Sequence, residues 1–129
     1  MAQATADTTD INYVVALKTG RHVLTADEPV SRGGKDAGPA PYDLLASSLA
    51  ACTAITLRMY AERKQWPLES AQVEVHFRRS PDKSALIDRV LRLKGSLTKE
   101  QRTRLADIAE RTPVTLTLKS GLEIRTTLA

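Results

Sequence analysis

Disulfide partners and soft metal ligands are almost absent from this sequence. Its 129 residues include one cysteine, Cys52, and two histidines, His22 and His76. A lone cysteine excludes an internal disulfide, and three scattered soft ligands do not make a structural zinc site. We therefore predict no metal centre. A free thiol without disulfides favours a reducing, cytoplasmic location.

Long apolar runs and blocks of like charge are also missing. The longest uncharged stretch, residues 44–57, is shorter than the roughly 20 residues that span a bilayer. The first ten residues lack a signal-peptide pattern. The net charge of +4 comes from basic residues interleaved with acidic ones, unlike the basic runs of nucleic-acid-binding surfaces. We predict neither a membrane nor a nucleic-acid partner.

The N-terminal third is predicted to contain a tail, a hairpin and a loop. Residues 1–9 are small and polar, which predicts a flexible tail, and a chain of this length fits one domain over residues 10–129. Apolar residues alternate over residues 11–17, which is typical of a half-buried strand. Residues 21–26 predict a return strand. A loop rich in glycine and proline follows.

A long helix is predicted over residues 41–64. Pro41 suits a first helical turn, and the Asp43 carboxylate suits the positive end of the helix dipole. Because residues 44–57 carry no charge on any side, we expect the helix to be buried on most sides. One sheet covers one side only, so a second copy of the chain is expected to cover the rest.

The C-terminal half is predicted to contain three strands and a helix. Alternation over residues 72–78 and an apolar run over residues 87–94 predict two strands. A capping box of Thr98 and Gln101 begins a helix over residues 99–111, which Pro113 stops. Apolar residues at alternate positions over residues 122–128 predict a closing strand.

The predicted element order is β-β-α-β-β-α-β. The strands come in neighbouring pairs, which favours an α+β fold whose antiparallel sheet is wrapped on the long central helix.

Cys52 lies in the middle of the long predicted helix, within a row of apolar residues. A cysteine in such a row is commonly a small buried hydrophobic residue. In mid-helix it lacks the N-terminal field that stabilises a thiolate. A reactive Cys52 therefore needs a cation from another element, and Arg21, Arg32 and Arg58 are the candidates.

Residues 38–69, GPAPYDLLASSLAACTAITLRMYAERKQWPLE, closely resemble the signature of the OsmC/Ohr family, the osmotically inducible protein C and organic hydroperoxide resistance proteins. The runs TGRHVLTADEP, residues 19–29, and EQRTRLADIAERTPV, residues 100–114, resemble the family in the same order. The resemblance implies an intertwined homodimer, in which sheets wrap two long helices, one from each chain.

The resemblance also implies a thiol peroxidase that reduces organic hydroperoxides without a metal or other cofactor. The family's peroxidatic cysteine matches Cys52, and the arginine that stabilises its thiolate matches Arg21. A cation within about 4–6 Å of a thiol favours the charged form.

Two positions depart from the family pattern. The family usually carries a resolving cysteine in a run like C-P-V-H, but here the run is TPVT, with Thr112 at the cysteine position. The family's glutamate that holds the arginine is replaced by Tyr42, with the acidic Asp43 beside it. Because Thr112 cannot form a disulfide, an external thiol reductant would have to resolve an oxidised Cys52.

Two functions are therefore open. The first is a one-cysteine organic hydroperoxide reductase in oxidative stress defence. The alternative is a catalytically impaired family member that binds a small apolar ligand or is structural. Both use an aliphatic pocket at the dimer interface, lined by Leu45, Leu49, Ile55 and Met59.

Overall fold

The computed structural model describes all 129 residues, which form two antiparallel sheets and three α-helices. This is the predicted α+β fold class. In chain order the elements are β1 (Thr5–Thr8), β2 (Val15–Thr19), β3 (His22–Ala26), a 3-10 turn (Val30–Arg32), α1 (Pro41–Lys64), β4 (Leu68–Arg79), β5 (Ala85–Gly95), α2 (Lys99–Ala109) and α3 (Pro113–Ser120). The chain divides into two compact units, Met1–Leu45 and Ala46–Ala129. Whether residues 10–129 fold as one domain stays a prediction.

The first unit contains a sheet with strand order β1-β2-β3. β2 and β3 form the predicted hairpin, which turns at Gly20 with a left-handed φ of 59°. The predicted start of β2 at Ile11 is wrong. The Val14 N–H donates to the Ile11 carbonyl at 2.8 Å, and the Tyr13 N–H donates to the Asp27 carboxylate at 3.3 Å. This turn uses N–H groups that a strand ladder would need.

β1 lies where the sequence predicts a tail. Its four residues are all exposed, and they pair antiparallel with β2, Thr5 opposite Lys18. An edge strand held by backbone hydrogen bonds alone needs no alternating apolar residues, so the sequence carries no pattern for it. The mobility of residues 1–9 stays a prediction.

Asp27 organises the loop that follows β3. Its carboxylate is 2% exposed. Oδ1 accepts from the N–H groups of Glu28 at 2.7 Å and Tyr13 at 3.3 Å, and Oδ2 accepts from those of Lys35 and Ala37, both at 3.0 Å. The Ala37 hydrogen bond, with support from the other three, holds the pKa of this carboxyl below its ordinary value. A charged Asp27 therefore stabilises the loop.

The bounds predicted for α1 are confirmed. The helix begins at Pro41 and ends at Lys64, and Asp43 Oδ2 accepts a hydrogen bond of 3.0 Å from the N–H of Ala40, just before the helix. By length and composition alone α1 could cross a membrane, a test that the core helix of a soluble protein also passes.

The second unit packs one face of α1 against β5 and α2. Leu57 and Leu105 are fully buried, together with Ala109, and Leu91 and Leu93 of β5 pack against this cluster. The buried residues of α1 recur at every fourth position and so share one face: Leu49, Thr53, Leu57 and Ala61.

The rest of α1 is less buried within this chain than the face that carries Leu57. Ile55 is 53% and Met59 is 58% exposed. β5 and α2 cover one face of α1 within this chain, and burial of the other sides by a second copy stays a prediction.

The C-terminal region differs most from the prediction. The capping box of Thr98 and Gln101 is confirmed, and α2 ends at Ala109. Pro113 then opens a new helix, α3, because a proline is tolerated in a first helical turn. The predicted closing strand is wrong: residues 121–129 have no secondary structure, and Ile124 is 85% exposed. A segment with alternating apolar residues forms a strand only where a second strand pairs with that segment.

Candidate functional site

Cys52 is a free, half-buried thiol near the middle of α1. Successive helical residues point about 100° apart, so Cys52 lies beside the buried row that contains Thr53 rather than in it. Met59 follows Cys52 by seven residues, which places both on one face. The thiol therefore lies at the border between the buried row and the exposed apolar face of α1.

Three of the four residues predicted to line a pocket lie in the second unit. Ile55 and Met59 lie on the exposed face of α1, whereas Leu49 is 4% exposed and belongs to the buried row. Leu45 closes the first unit and is half-buried. An exposed apolar surface thus adjoins Cys52.

The candidate cations occupy different surroundings. Arg58 Nη1 and Nη2 donate to the carbonyls of Leu68 at 2.5 Å and Glu69 at 2.8 Å, which holds the start of β4. Arg21 is exposed in the turn between β2 and β3, and Arg32 is exposed at the end of the 3-10 turn. Arg58 thus has a structural role, and the role of Arg21 stays a prediction.

Tyr42 and Asp43 both lie in the first turn of α1. Tyr42 is 55% exposed. Asp43 is exposed as well, and its carboxylate bonds to the Ala40 N–H as described above. The carboxylate of Asp43 therefore stabilises the beginning of the helix.

Thr112 is fully buried between α2 and α3. Its Oγ1 lies 2.6 Å from Oγ1 of Thr115, which is 5% exposed. Thr115 also donates to the carbonyl of Ala109 at 3.3 Å. The two threonines, which the sequence resemblance places at the positions of the family's cysteine and histidine, are thus joined to each other and to the end of α2.

Arg89 is a site residue that the sequence analysis missed. Its side chain is 13% exposed. Nη1 donates to Oγ1 of Thr115 at 2.8 Å and of Thr53 at 3.1 Å, and Nη2 donates to the Ala109 carbonyl at 2.9 Å. One guanidinium therefore joins α1, the end of α2 and α3. The signal in the sequence is that Arg89 and Leu91 are two residues apart on β5 and so face the same, inward side of the strand.

Glu110 is the carboxylate beside Arg89. Its Oε2 lies 3.6 Å from Arg89 Nη2 and 3.0 Å from Lys119 Nζ. Lys119, through its hydrogen bond, contributes most to holding the pKa of Glu110 below its ordinary value, and Arg89 adds to this effect. Arg89 thus donates to hydroxyl and carbonyl oxygens at hydrogen-bond distance, and the Glu110 carboxylate, which also contacts Lys119, lies farther away.

No group of three or more His, Cys, Asp or Glu side chains that could hold a metal ion is present.

Comparison with known families decides the identity of the fold. The family model described as OsmC-like protein matches residues 33–127. The chain belongs to the OsmC-like family. A search of curated proteins finds no match.

Solved structures agree with this OsmC-like assignment. An OsmC-like protein from Mycoplasma pneumoniae has a TM-score of 0.79 and 21% identity, over 92% of this chain and 87% of that chain. An organic hydroperoxide resistance protein OsmC from Legionella pneumophila has a TM-score of 0.67 and 25% identity, over 92% and 89% of the two chains. A Vibrio cholerae protein assigned to organic hydroperoxide resistance, with captopril bound in one of its active sites, has a TM-score of 0.68 and 21% identity, over 92% and 84%.

Proposed function

We propose that this OsmC-like protein is a one-cysteine thiol peroxidase that reduces organic hydroperoxides. The observation that carries the proposal is the free, half-buried thiol of Cys52 on α1, at the position where the sequence resembles the family's peroxidatic cysteine. The similarity to the Legionella hydroperoxide resistance protein supports this substrate class.

The reaction requires the thiolate of Cys52. Its sulfur attacks one oxygen of the hydroperoxide, so that a sulfur–oxygen bond forms and the O–O bond breaks. The alkoxide leaves with the bonding electron pair and takes up a proton to become an alcohol. Cys52 is oxidised by two electrons to the sulfenic acid, and the hydroperoxide is reduced by the same two.

Regeneration requires two molecules of an external thiol, because Thr112 has no sulfur. The first thiolate attacks the sulfenic sulfur, so that a sulfur–sulfur bond forms, the sulfur–oxygen bond breaks, and the leaving hydroxide takes up a proton to become water. The second attacks the mixed disulfide, which frees Cys52 and leaves the reductant as a disulfide. Such a cycle suits the reducing cytoplasm, where small thiols are plentiful.

Arg21 is proposed as the cation that favours the thiolate, with Tyr42 and Asp43 in supporting positions at the start of α1. This assignment rests on the resemblance of TGRHVL to the family's arginine-bearing run. A guanidinium can also donate hydrogen bonds to peroxide oxygens. Arg21→Met should lower the rate with hydroperoxide if the assignment is correct.

A homodimer is proposed as the working form. The exposed apolar face of α1, with Ile55 at 53% and Met59 at 58% exposed, lies beside the thiol. A second copy of the chain would bury this face and enclose the apolar substrate near Cys52. Leu45, Leu49, Ile55 and Met59 would then line the pocket at the interface.

Binding of a small ligand without turnover is the second candidate function. It is favoured by the captopril bound in an active site of the Vibrio protein, and by the lack of a second cysteine here. The same apolar face would receive the ligand.

Reaction of the purified protein with cumene hydroperoxide distinguishes the peroxidase function from ligand binding without turnover. We expect loss of one thiol per chain and formation of an equal amount of the cumyl alcohol, measured by thiol titration and chromatography. Cys52→Ser is the matched control, because it replaces only the sulfur and should form no alcohol. Unchanged thiol and no alcohol in the wild-type protein would exclude the peroxidase and leave ligand binding.

A further inference from the structure

Arg89 stands apart from the other arginines on its hairpin. Arg92 and Arg78 are 53% and 54% exposed and pair with carboxylates at 2.8 Å and 2.6 Å. Arg89 is 13% exposed and bonds to two threonine hydroxyls and a carbonyl, and the Glu110 carboxylate lies farther away, at 3.6 Å. Burying a guanidinium is costly, and well-packed apolar residues often give equal or greater stability. The value of Arg89 therefore lies in the arrangement that it enforces.

Arg89 is the donor in each of its hydrogen bonds within this network. A guanidinium only donates, so Oγ1 of Thr53 and of Thr115 must accept from Arg89. Thr53 gives its own hydrogen to the Leu49 carbonyl at 2.7 Å. Thr115 also lies within hydrogen-bond distance of the Thr112 hydroxyl at 2.6 Å, where either oxygen can donate, and of the Ala109 carbonyl at 3.3 Å. Thr53 thus has a partner both as donor and as acceptor, which fixes its rotamer.

A fixed Thr53 also fixes the direction of its neighbour. Thr53 follows Cys52 directly, and a helix can turn about its axis only if all its side chains turn together. The contact between Arg89 Nη1 and Thr53 at 3.1 Å therefore limits rotation of the part of α1 that carries the thiol. The contact of the same nitrogen with Thr115 at 2.8 Å holds the start of α3 against it.

We propose that Arg89 is a positioning residue for Cys52, and that it acts through Thr53 and Thr115. It sets the angle at which the thiol faces the exposed side of α1, and so the angle at which a hydroperoxide meets the sulfur. This inference rests on the proposed peroxidase function. Attack on an O–O bond needs alignment of the sulfur with that bond, and a small misplacement of reacting atoms is costly in rate.

The test compares four variants in the reaction of Cys52 with cumene hydroperoxide. Arg89→Met removes the donors, and Thr115→Val removes one acceptor at nearly constant volume. Both should slow the reaction about tenfold or more. Thr115→Ser keeps the hydroxyl, and Arg92→Met changes the opposite face of the same strand. Both should stay within about twofold of the wild-type rate, since neither removes a bond of the network.

Alkylation by iodoacetamide and circular dichroism separate positioning from loss of fold. Unfolding would expose Cys52 and raise its alkylation rate, whereas positioning lowers the peroxide rate in a folded protein. Wild-type peroxide rates in folded Arg89→Met and Thr115→Val would overturn the proposal. Equal losses in Thr115→Ser and Thr115→Val would overturn it as well, because the hydroxyl would then be irrelevant.

Hydrogen exchange keeps the test independent of the peroxidase proposal. If wild-type Cys52 does not react with hydroperoxide, the proposed function fails, but the amides of residues 52–55 and 114–116 still report the network. Arg89→Met should speed their exchange about tenfold, and Arg92→Met should not. Unchanged exchange at both segments would refute the role of Arg89.

Discussion

The hydroxyl oxygens of Thr112 and Thr115 lie 2.6 Å apart in a buried pair. The sequence resemblance places these two residues where the family carries its resolving cysteine and histidine. Arg89 joins Thr115 to Thr53, the residue after Cys52. The start of α3 is therefore held near the turn of α1 that carries the thiol, although residue 112 has no sulfur to use.

Thr112→Cys should form an internal disulfide with Cys52 under mild oxidation. The network of Arg89 brings the start of α3 to the Cys52 turn, and a disulfide needs Cα atoms within about 7 Å. The measurement is loss of both free thiols with faster migration in non-reducing electrophoresis.

Thr112→Cys combined with Cys52→Ser is the matched control, and it should keep its single thiol in the monomeric band. A double-thiol protein that stays reduced, or that cross-links only between chains, would mean that the two positions are not adjacent within one chain.

Asp27→Asn should lower stability near neutral pH, by several degrees in Tm. The amide can present one oxygen where the carboxylate presents two, so its NH₂ group would face backbone N–H donors. Thermal unfolding measures the effect. Asp7→Asn, on the exposed strand β1, is the control and should leave Tm nearly unchanged.

The difference in Tm between the wild type and Asp27→Asn should depend on pH, because the pKa of Asp27 is lowered in the folded protein. Its pKa in the folded protein lies below the unfolded value of about 3.9. The stabilisation is therefore fully present above pH 4 or so, and it is lost as the pH falls through the folded pKa. We expect the gap in Tm between wild type and Asp27→Asn to narrow below about pH 4. A gap independent of pH would show that charge is not the cause.

Leu57→Ala should destabilise the second unit by about 2–5 kcal/mol. Leu57 is fully buried against Leu105 and Ala109, so truncation removes apolar contacts and leaves a cavity. Denaturant unfolding measures the loss. Leu116→Ala, at a position 50% exposed, is the control and should cost less than about 1 kcal/mol.

Met59→Glu should convert a dimer into a monomer. Met59 is 58% exposed on the apolar face of α1, and a second copy that covered this face would have to bury the new carboxylate. Sedimentation at micromolar concentration measures the change. Val23→Glu, at an equally apolar position that is 72% exposed on β3, should leave the dimer intact. A wild-type protein that sediments as a monomer would contradict the dimer proposal.

Local patterns predicted the elements that local interactions stabilise. The bounds of α1 follow from an unbroken helical sequence between Pro41 and Lys64. The capping box of Thr98 and Gln101 is closed within four residues. The family itself is readable from the run around Cys52, because residues 38–69 combine a loop, a helix start and the single cysteine in one segment.

Other features depended on partners distant in the chain. Alternation over residues 122–128 predicts a strand, but no strand pairs with these residues, and they are exposed. Conversely, β1 has no alternating apolar pattern, and it forms a strand because its backbone pairs with the edge of β2. Strand formation is a property of two segments, so one segment's sequence is insufficient to decide it.

The sequence by itself determined the long helix, the position of its single thiol and the loss of a second sulfur at Thr112. Only the tertiary structure decided that Arg89 would join Thr53, 36 positions away, to Thr115, 26 positions away. The physical reason is that a buried guanidinium donates to the oxygens that packing places within about 3 Å of it. Here α1, the end of α2 and α3 supply those oxygens together.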